Sequence, residues 1–325
     1  MPPTSVFEHH VYSGFEPAQA FGVIYGGHFE HRLMSAKRST LEHLRLVLGD
    51  VRLETGRYDF PVIAQGVMPQ ESVCIGMVAD GIEITRYNTE FIAEDEIQVY
   101  SPGVELMYDS SGASRWITMT VPRSTLQAAA HERAGISLPL PRRGVAAFQL
   151  ARGKRAYLRQ VAEDAFGLAR ALQPEGIAPD LAQEMSRSMV AAYVDALCAA
   201  ELTHRNVKAS TARRHYHLIM ACEKLVLSAG AVDVDLSEIA RASGYSLRSV
   251  ERIFRRGVGM TPGRWFTNIR LNGALRDLLA PTALCSITDV ATRWGFRHLS
   301  RFAQQYRQAF GELPNQTLAR ARHET

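Results

Sequence analysis

The sequence predicts an α+β chain with a β-rich, barrel-like N-terminal domain, flanking helices and an all-α C-terminal domain. Three observations lead to this fold class. Residues 41–122 consist of short β-rich runs separated by turn residues, helical periodicity begins near residue 153, and one segment of the C-terminal third occurs twice. The length of 325 residues is also more typical of two domains than of one.

Seven candidate strands, with turn residues about every 8–12 positions, predict a barrel or a sandwich in the N-terminal part. They span residues 45–54, 60–67, 72–77, 82–87, 96–101, 105–108 and 116–121. A connection rich in Pro, Gly and Arg occupies residues 134–152. The first domain is therefore expected to cover residues 1–150.

Two helices are predicted at residues 153–173 and 178–204, because apolar residues recur there at spacings of three and four. Their apolar stripes leave two alternatives open for the segment 151–203: a two-fold dimer seam, or packing onto the β-rich domain of the same subunit. The polar stretch 204–211 predicts a linker, and residues 212–325 are expected to form the C-terminal domain.

The C-terminal domain contains an internal duplication with a period of 51 positions, which becomes 52 after a one-residue insertion. The matched pairs are Ile239 and Val290, Ala240 and Ala291, Gly244 and Gly295, Tyr245 and Phe296, Phe254 and Tyr306, Arg255 and Arg307, Gly259 and Gly311, and Pro262 and Pro314. Each copy predicts a short helix, a glycine turn and a second helix, which is the helix-turn-helix arrangement. The C-terminal domain is therefore predicted to hold two helix-turn-helix units.

The second helix of each unit is predicted at residues 247–257 and 299–309. The residues expected to face the core are Leu247, Val250, Ile253 and Phe254 in the first helix, and Leu299, Phe302, Gln305 and Tyr306 in the second. The remaining positions are polar and rich in arginine. Two such surfaces on one chain predict contact with two successive major grooves of DNA.

Charge is divided unequally along the chain. Residues 201–325 carry 19 Lys and Arg against 10 Asp and Glu, a net charge of +9, whereas residues 1–200 carry 18 against 23, a net charge of −5. All but two of the cations in the C-terminal part are Arg, whose planar guanidinium matches phosphate oxygens and guanine edges. A basic C-terminal part on an acidic body predicts a polyanionic partner for that part.

The run LSEIARASGYSLRSVERIFRRGVGMTP, followed by RLNGALRDLL and ITDVATRWGFRHLSRFAQQYRQAFGELP, resembles the AraC/XylS family of bacterial transcription regulators. The likeness covers residues 211–319 and includes both units, the helix between them and the GF…F…Y…FG…P ending. The ending FGELPNQTL also resembles a subgroup that includes ethanolamine-type regulators. The resemblance implies a ligand-responsive activator whose partners are double-stranded promoter DNA and RNA polymerase.

The resemblance also implies which side chains meet DNA. Base-reading roles fall on Arg248, Glu251 and Arg252 in the first unit, and on Ser300, Arg301 and Gln304 in the second. Phosphate contacts are expected from Ser246, Arg255, Arg256, His298 and Arg307. Glu251 is acidic where the family often has a neutral donor, so a cytosine amino group is its expected partner. Ala303 is too short for polar readout, and the alternative for the second unit is that it mainly grips phosphates.

The first 200 residues resemble the sensor halves of the same family through LRLVLGDVRLETGRYDFPV, YSPGVELMYDSS and RWITMTVPRSTLQ. The resemblance implies a cupin-like or related barrel, and a barrel of this size can enclose one small effector. The candidate effector contacts are polar-tipped aromatic or charged residues on predicted strands, namely Arg86, Tyr87, Tyr100, Tyr108 and Trp116. For each of them, an ordinary core or surface role is the alternative.

Enzymatic and metal sites find no support in the sequence. It contains no G-x-S-x-G, P-loop or G-x-G-x-x-G motif, so neither an enzyme nor a cofactor is expected. The pairs His9-His10 and His28-x-x-His31 lack the additional spaced ligands of a metal-binding barrel, so no metal is expected. Four widely separated cysteines and the lack of a long apolar stretch predict a cytoplasmic chain with no membrane partner.

Two alternatives to a ligand-responsive regulator stay open. One is an enzyme whose catalytic barrel is tethered to DNA, and the other is a constitutive DNA-binding protein with a structural N-terminal half. Either a homodimer on two half-sites or a monomer with both units on one site is expected.

Overall fold

The structure is a computed structural model, and it describes residues 5–34, 39–202, 208–228, 235–282 and 285–324. Strands dominate the first half and helices the second. The strands are β1 (Ser5–Ser13), β2 (His28–Leu33), β3 (Thr40–Leu48), β4 (Val51–Tyr58), β5 (Val62–Val67), β6 (Val73–Asp80), β7 (Thr85–Tyr87), β8 (Glu90–Phe91), β9 (Glu96–Tyr100), β10 (Glu105–Ser110), β11 (Ser114–Val121), β12 (Val145–Gln149) and β13 (Glu201–Leu202). The helices are α1 (Arg123–Ala134), α2 (Lys154–Ala171), α3 (Pro179–Cys198), α4 (Lys208–Ser228), α5 (Leu236–Ser243), α6 (Leu247–Val258), α7 (Pro262–Leu279), α8 (Ile287–Arg293), α9 (Leu299–Phe310) and α10 (Pro314–Glu324).

The strands form two antiparallel sheets. The larger has the order β1-β3-β4-β11-β6-β9-β12-β13, and the smaller has the order β2-β5-β10-β7-β8. The single strand predicted at residues 45–54 is wrong, because Gly49 has a φ of +66° and turns the chain between β3 and β4. Strands β1 and β2 lie in a region that the sequence left unassigned.

The central strands of the larger sheet are buried on both faces. Along β6, Val73, Ile75 and Met77 face one core, whereas Cys74 and Val78 face another, as the two-residue period of a strand requires. The first core lies between this sheet and helices α1 to α3, whereas the second lies between the two sheets and continues into helices α7 to α10 of the C-terminal domain. Burial on both faces explains why β6, with the sequence VCIGMVAD, is apolar at almost every position.

The apolar stripes of α2 and α3 are used inside the subunit. Leu158 and Ala165 of α2, and Met185 and Met189 of α3, are buried in the core under the larger sheet. The structure therefore follows the packing alternative for segment 151–203, and a homodimer stays a prediction. Together with the helical second half, the two-sheet domain confirms the predicted fold class.

The C-terminal domain begins with α4, which starts at Lys208, four residues before its predicted start at 212. Residues 204–207 of the predicted linker lie outside the described residues. Within the described residues, no helix is long and apolar enough to cross a bilayer.

The C-terminal domain packs against the outer side of the smaller sheet. Arg32 on β2 forms a buried ion pair with Glu223 on α4, with Nη1 3.0 Å from Oε2, and its guanidinium lies over the Trp265 ring. The side-chain amide of Asn272 on α7 pairs with the backbone of Leu33 at the end of β2. The Leu33 N–H donates to Oδ1 (2.8 Å), and Nδ2 donates to the Leu33 carbonyl (3.2 Å). Charged and amide groups therefore join the two halves of the chain.

Candidate nucleic-acid interface

The first helix-turn-helix unit consists of α5 and α6. Asp235 begins α5 by accepting a hydrogen bond from the Ser237 N–H (2.8 Å), and Gly244, with a φ of +72°, ends it. Ser246 caps α6 by accepting a hydrogen bond from the Ser249 N–H (3.2 Å). The predicted helix 247–257 is thus confirmed within one residue, and its start is fixed by side-chain capping.

The outer face of α6 is a dense arginine surface. The predicted contact residues on it are all exposed: Arg248, Glu251, Arg252, Arg255 and Arg256, together with the capping Ser246. The inner residues Val250, Ile253 and Phe254 are buried against α4 and α7, as predicted. Within the described part of the chain, none of the four arginines forms an ion pair that would neutralise it. This face therefore presents uncompensated guanidinium groups to a partner.

The positive charge of this face acts on a neighbouring histidine. His215 on α4 stacks edge-on against Tyr245, with ring centroids 6.1 Å apart. Partial burial lowers the pKa of His215, and the nearby guanidinium groups of Arg214, Arg256 and Arg252 lower it further. The positive potential that opposes protonation of His215 also attracts anions such as a phosphate group to this face of α6.

The second unit repeats this geometry with α8 and α9. Ser286 caps α8 by accepting a hydrogen bond from the Asp289 N–H (3.1 Å), and Gly295 has a φ of +77° at the turn. Phe302 and Tyr306 of α9 are buried, and the Tyr306 hydroxyl lies 2.9 Å from Thr317 Oγ1 on α10. Helix α9 confirms the predicted span 299–309 within one residue.

The outer face of α9 carries less charge than that of α6. The predicted contact residues on it are again all exposed: His298, Ser300, Arg301, Gln304 and Arg307. His298 occupies the N-cap position without a side-chain capping hydrogen bond. Each unit therefore places its predicted contact residues on the exposed face of its own second helix.

One part of the inner-face prediction is wrong. Leu247 and Leu299 were expected to face the core, but their exposed fractions are 48% and 45%. Each is the first residue of its helix, so no preceding turn of helix covers it. Gln305, also expected inside, is half-buried.

Helix α7 holds the two units together. Trp265 and Ile269 near its start belong to the core of the first unit, whereas Leu275 and Leu278 near its end belong to a core shared with the second. Its 18 residues correspond to a length of about 27 Å at 1.5 Å per residue. The separation of about 34 Å between the two reading helices that adjacent grooves require stays a prediction.

The contact between α7 and α8 depends on a glycine. A Cβ atom at Gly273 would lie 2.1 Å from the Trp294 ring, so only glycine allows this approach. The Trp294 indole Nε1 donates to Asp277 Oδ2 (2.9 Å), which also accepts from Arg293 Nη1 (3.0 Å). The orientation of the second unit on α7 is thereby fixed by one close contact and one carboxylate.

Four of the five predicted effector residues lie together in the core between the sheets: Tyr87, Tyr100, Tyr108 and Trp116 are all buried there. The ring centroids of Tyr87 and Tyr108 are 5.6 Å apart, and the Tyr108 hydroxyl donates to Ser114 Oγ (2.7 Å). Aromatic side chains fill this interior. The fifth residue, Arg86, lies beside it and forms an ion pair with Asp109 (3.1 Å).

An open cavity of about 790 Å³ lies elsewhere, between the β-rich domain and α4. Tyr87 is the one predicted effector residue among its lining residues, and Arg213, Tyr216 and His217 of α4 form the opposite wall. The Tyr216 hydroxyl is buried and has no hydrogen-bond partner among the residues that the structure describes. The sequence could not identify this cavity, because residues about 130 positions apart line it.

The turn between β7 and β8 connects the cavity with the first unit. Asn88 lines the cavity, and the next residue, Thr89, has a φ of +74°, a strained conformation for a β-branched residue. Thr89 lies so close to Gly257 of α6 that a Cβ atom there would be 3.1 Å from its methyl group. The strained turn at Thr89 therefore lies between the cavity wall and helix α6.

Two of the histidines noted in the sequence contact aromatic side chains in the structure. His31 Nε2 lies 2.9 Å from the Tyr58 hydroxyl, and His28 stacks on Phe21. Among the described residues, no three His, Cys, Asp or Glu side chains lie close enough together to hold a metal ion.

The C-terminal part of the chain is similar to known proteins. Residues 239–320 match the sequence family described as a helix-turn-helix domain. The chain is 42% identical over 84 residues to a probable thc operon regulatory protein of Rhodococcus erythropolis, which covers 26% of this chain and 25% of that protein. It is 39% identical over 93 residues to a XylDLEGF operon transcriptional activator of Pseudomonas putida, covering 28% of this chain and 29% of that one. Each match thus spans less than a third of the relative's length.

A solved structure, that of a probable AraC family transcriptional regulator from Rhodopseudomonas palustris CGA009, is also similar. It is 28% identical, covers 32% of this chain and 97% of that chain, and has a TM-score of 0.30. The matched family and the two sequence relatives therefore concern the C-terminal part of the chain.

Proposed function

We propose that the protein is a sequence-specific transcription regulator of the AraC type that binds promoter DNA through its C-terminal part, the part that matches the helix-turn-helix family. The observation that carries the proposal is the pair of exposed, equivalent faces on α6 and α9, joined by the packed helix α7. Two reading helices that are held at a fixed separation by one packed helix can enter two successive major grooves.

The proposed division of contacts follows from position. Arg248, Glu251 and Arg252 read bases from α6, since the N-terminal part of a reading helix enters the groove. Ser300, Arg301 and Gln304 do so from α9. The residues proposed to contact phosphates are Ser246, Arg255, Arg256, His298 and Arg307. Because the arginines of α6 lack counter-charges among the described residues, we expect the first unit to contribute more of the binding free energy than the second.

The test is binding of the full-length chain to duplexes selected from a random library, in competition with random duplex at moderate salt. We expect a preferred sequence to emerge. Arg252→Ala should then cost about 1–3 kcal/mol on the preferred duplex and relax the preference at one position. If the variant weakens all duplexes equally, Arg252 contacts phosphate; if no preferred duplex emerges, the proposed function is wrong.

We further propose that a small effector regulates this binding and that the protein acts as an activator. The cavity between the β-rich domain and α4 supports this, since its volume of about 790 Å³ suits a small molecule. The strained Thr89 turn supports a route from that cavity to α6, because strained backbone is often found at switch regions. The relative from Pseudomonas putida is itself named an activator.

Ala147→Phe, which adds a ring to the cavity wall opposite Gln98 on β9, provides the test. A small-molecule library screened by thermal shift should yield binders of the wild-type protein that this variant loses, while it keeps its DNA affinity. If no compound binds and DNA affinity is unchanged throughout, the constitutive alternative is favoured, as the filled interior between the sheets would also suggest. RNA polymerase contact, a homodimer and a cytoplasmic location stay predictions.

A further inference from the structure

Two half-exposed leucines occupy the same position in the two helix-turn-helix units. Leu247 and Leu299 are each the first residue of the second helix, and they are 52 positions apart, in register with the duplication. Their exposed fractions of 48% and 45% are nearly equal. A single exposed leucine is ordinary, but the same exposure at the same place in both copies is a repeated feature of the surface.

Neither leucine is needed to close the core of its unit. In α6, Val250 and Phe254 fill the positions three and seven residues after Leu247 and are buried. In α9, Phe302 and Tyr306 do the same after Leu299. Each leucine therefore lies at the border between the buried stripe and the outer face, with part of its isobutyl group directed away from the core.

The position of the two leucines determines what they can meet. Residues at the N-terminal end of a reading helix approach the base edges in the major groove. A leucine can neither donate nor accept a hydrogen bond there. Thymine alone among the four bases presents an apolar group in the major groove, its C5-methyl.

We propose that Leu247 and Leu299 each contact a thymine methyl group, one in each of two successive major grooves. The inference rests on the proposed function and names a pair of specificity-determining residues within it. It gives the second unit a means of reading sequence despite the short Ala303 side chain. The second unit then does more than grip phosphates.

Uracil substitution tests the proposal directly, because replacing thymine by uracil removes only the C5-methyl group. The full-length chain is first used to select a preferred duplex, and each thymine of that duplex is then replaced by uracil in turn. We expect two positions, about one helical turn apart, at which the affinity falls about fourfold, the factor that corresponds to burial of one methyl group (about 0.8 kcal/mol). Leu247→Ala should abolish the uracil effect at one position, and Leu299→Ala should abolish it at the other.

Leu168→Ala on α2 is the matched control, since Leu168 is a helical leucine with a similar exposed fraction of 41%. This variant should keep both uracil effects. The proposal is overturned if no thymine methyl contributes, or if the two variants leave the uracil effects unchanged. It is also overturned if they weaken thymine and uracil duplexes equally, as for general contact with DNA. Failure to select any preferred duplex would instead refute the proposed function.

Discussion

The buried ion pair between Arg32 and Glu223 joins the β-rich domain to the C-terminal domain, and Glu223→Gln is the change that tests its role. Both side chains are almost fully buried. Arg32 also donates to Gln65 Oε1 (3.2 Å) and lies 5.5 Å from the centre of the Trp265 ring. Glutamine keeps the shape and the hydrogen-bonding oxygen but leaves the guanidinium without a counter-charge.

The magnitude follows from the desolvation of that guanidinium. Removing one partner of a buried ion pair typically costs about 3–5 kcal/mol, because an uncompensated charge stays buried. Here the two charges belong to different domains, so separation of the domains would rehydrate Arg32. The loss of stability caused by Glu223→Gln therefore cannot exceed the free energy that holds the two domains together. We expect the domains of this variant to separate before either of them unfolds. Arg32→Met combined with Glu223→Met removes both charges, and this pair should lose much less stability than Glu223→Gln alone.

Urea unfolding followed by tryptophan fluorescence is a suitable assay, because Trp265 lies beside Arg32. The Glu223→Gln variant should show an early transition that the wild-type protein lacks, or a lower midpoint. Glu238→Gln on α5 is the matched control, since its carboxylate is exposed and its ion pair with Arg241 is long at 3.9 Å. It should change the stability by less than about 1 kcal/mol. A Glu223→Gln variant that unfolds like the control would refute the reasoning.

Three further predictions follow from other parts of the chain. Arg256→Ala and Arg307→Ala should each reduce the slope of log affinity against log salt by about 0.9 without changing sequence preference, measured by titration at several salt concentrations; a relaxed preference would identify base contacts instead. Gly273→Ala should destabilise the protein by about 1–3 kcal/mol in thermal unfolding, because its Cβ would overlap the indole ring beside it, whereas Gly263→Ala on the same helix, with open space around its Cβ, should not be destabilising. Burial lowers the pKa of His31 to about 4, so the stability that it contributes is present above pH 6.5 and is lost as the pH falls toward 4; His31→Gln should flatten this acid dependence, and an unchanged slope would contradict it.

Local signals explain which parts of the fold the sequence could predict. The start of α6 was predictable because Ser246 caps it through a neighbour three residues away, and the duplication repeats the pattern in the second unit. The outward arginines followed from helical periodicity alone. By contrast, Leu247 and Leu299 were misassigned because periodicity treats the first residue of a helix like any other, although no preceding turn covers it.

Contacts between distant segments were beyond reach of the sequence. Glu223 pairs with a residue 191 positions away, and Asn272 pairs with one 239 positions away. No local pattern marks either residue, since a glutamate and an asparagine on a helix ordinarily face solvent. The cavity near Tyr216 could not be predicted from the sequence either, because β7, β9, β12 and α4 each contribute only a part of its wall.

The pairing of Asn272 with Leu33 has a consequence beyond holding two domains together. Strand β2 is at the edge of the smaller sheet, where an unpaired backbone N–H and carbonyl would be a template for a strand of another molecule. The side-chain amide of Asn272 pairs with the backbone at the end of β2. If the two domains separate, this part of the edge strand becomes available for pairing with another molecule. A substitution that weakens the contact between the two domains should therefore also increase the tendency of the protein to self-associate.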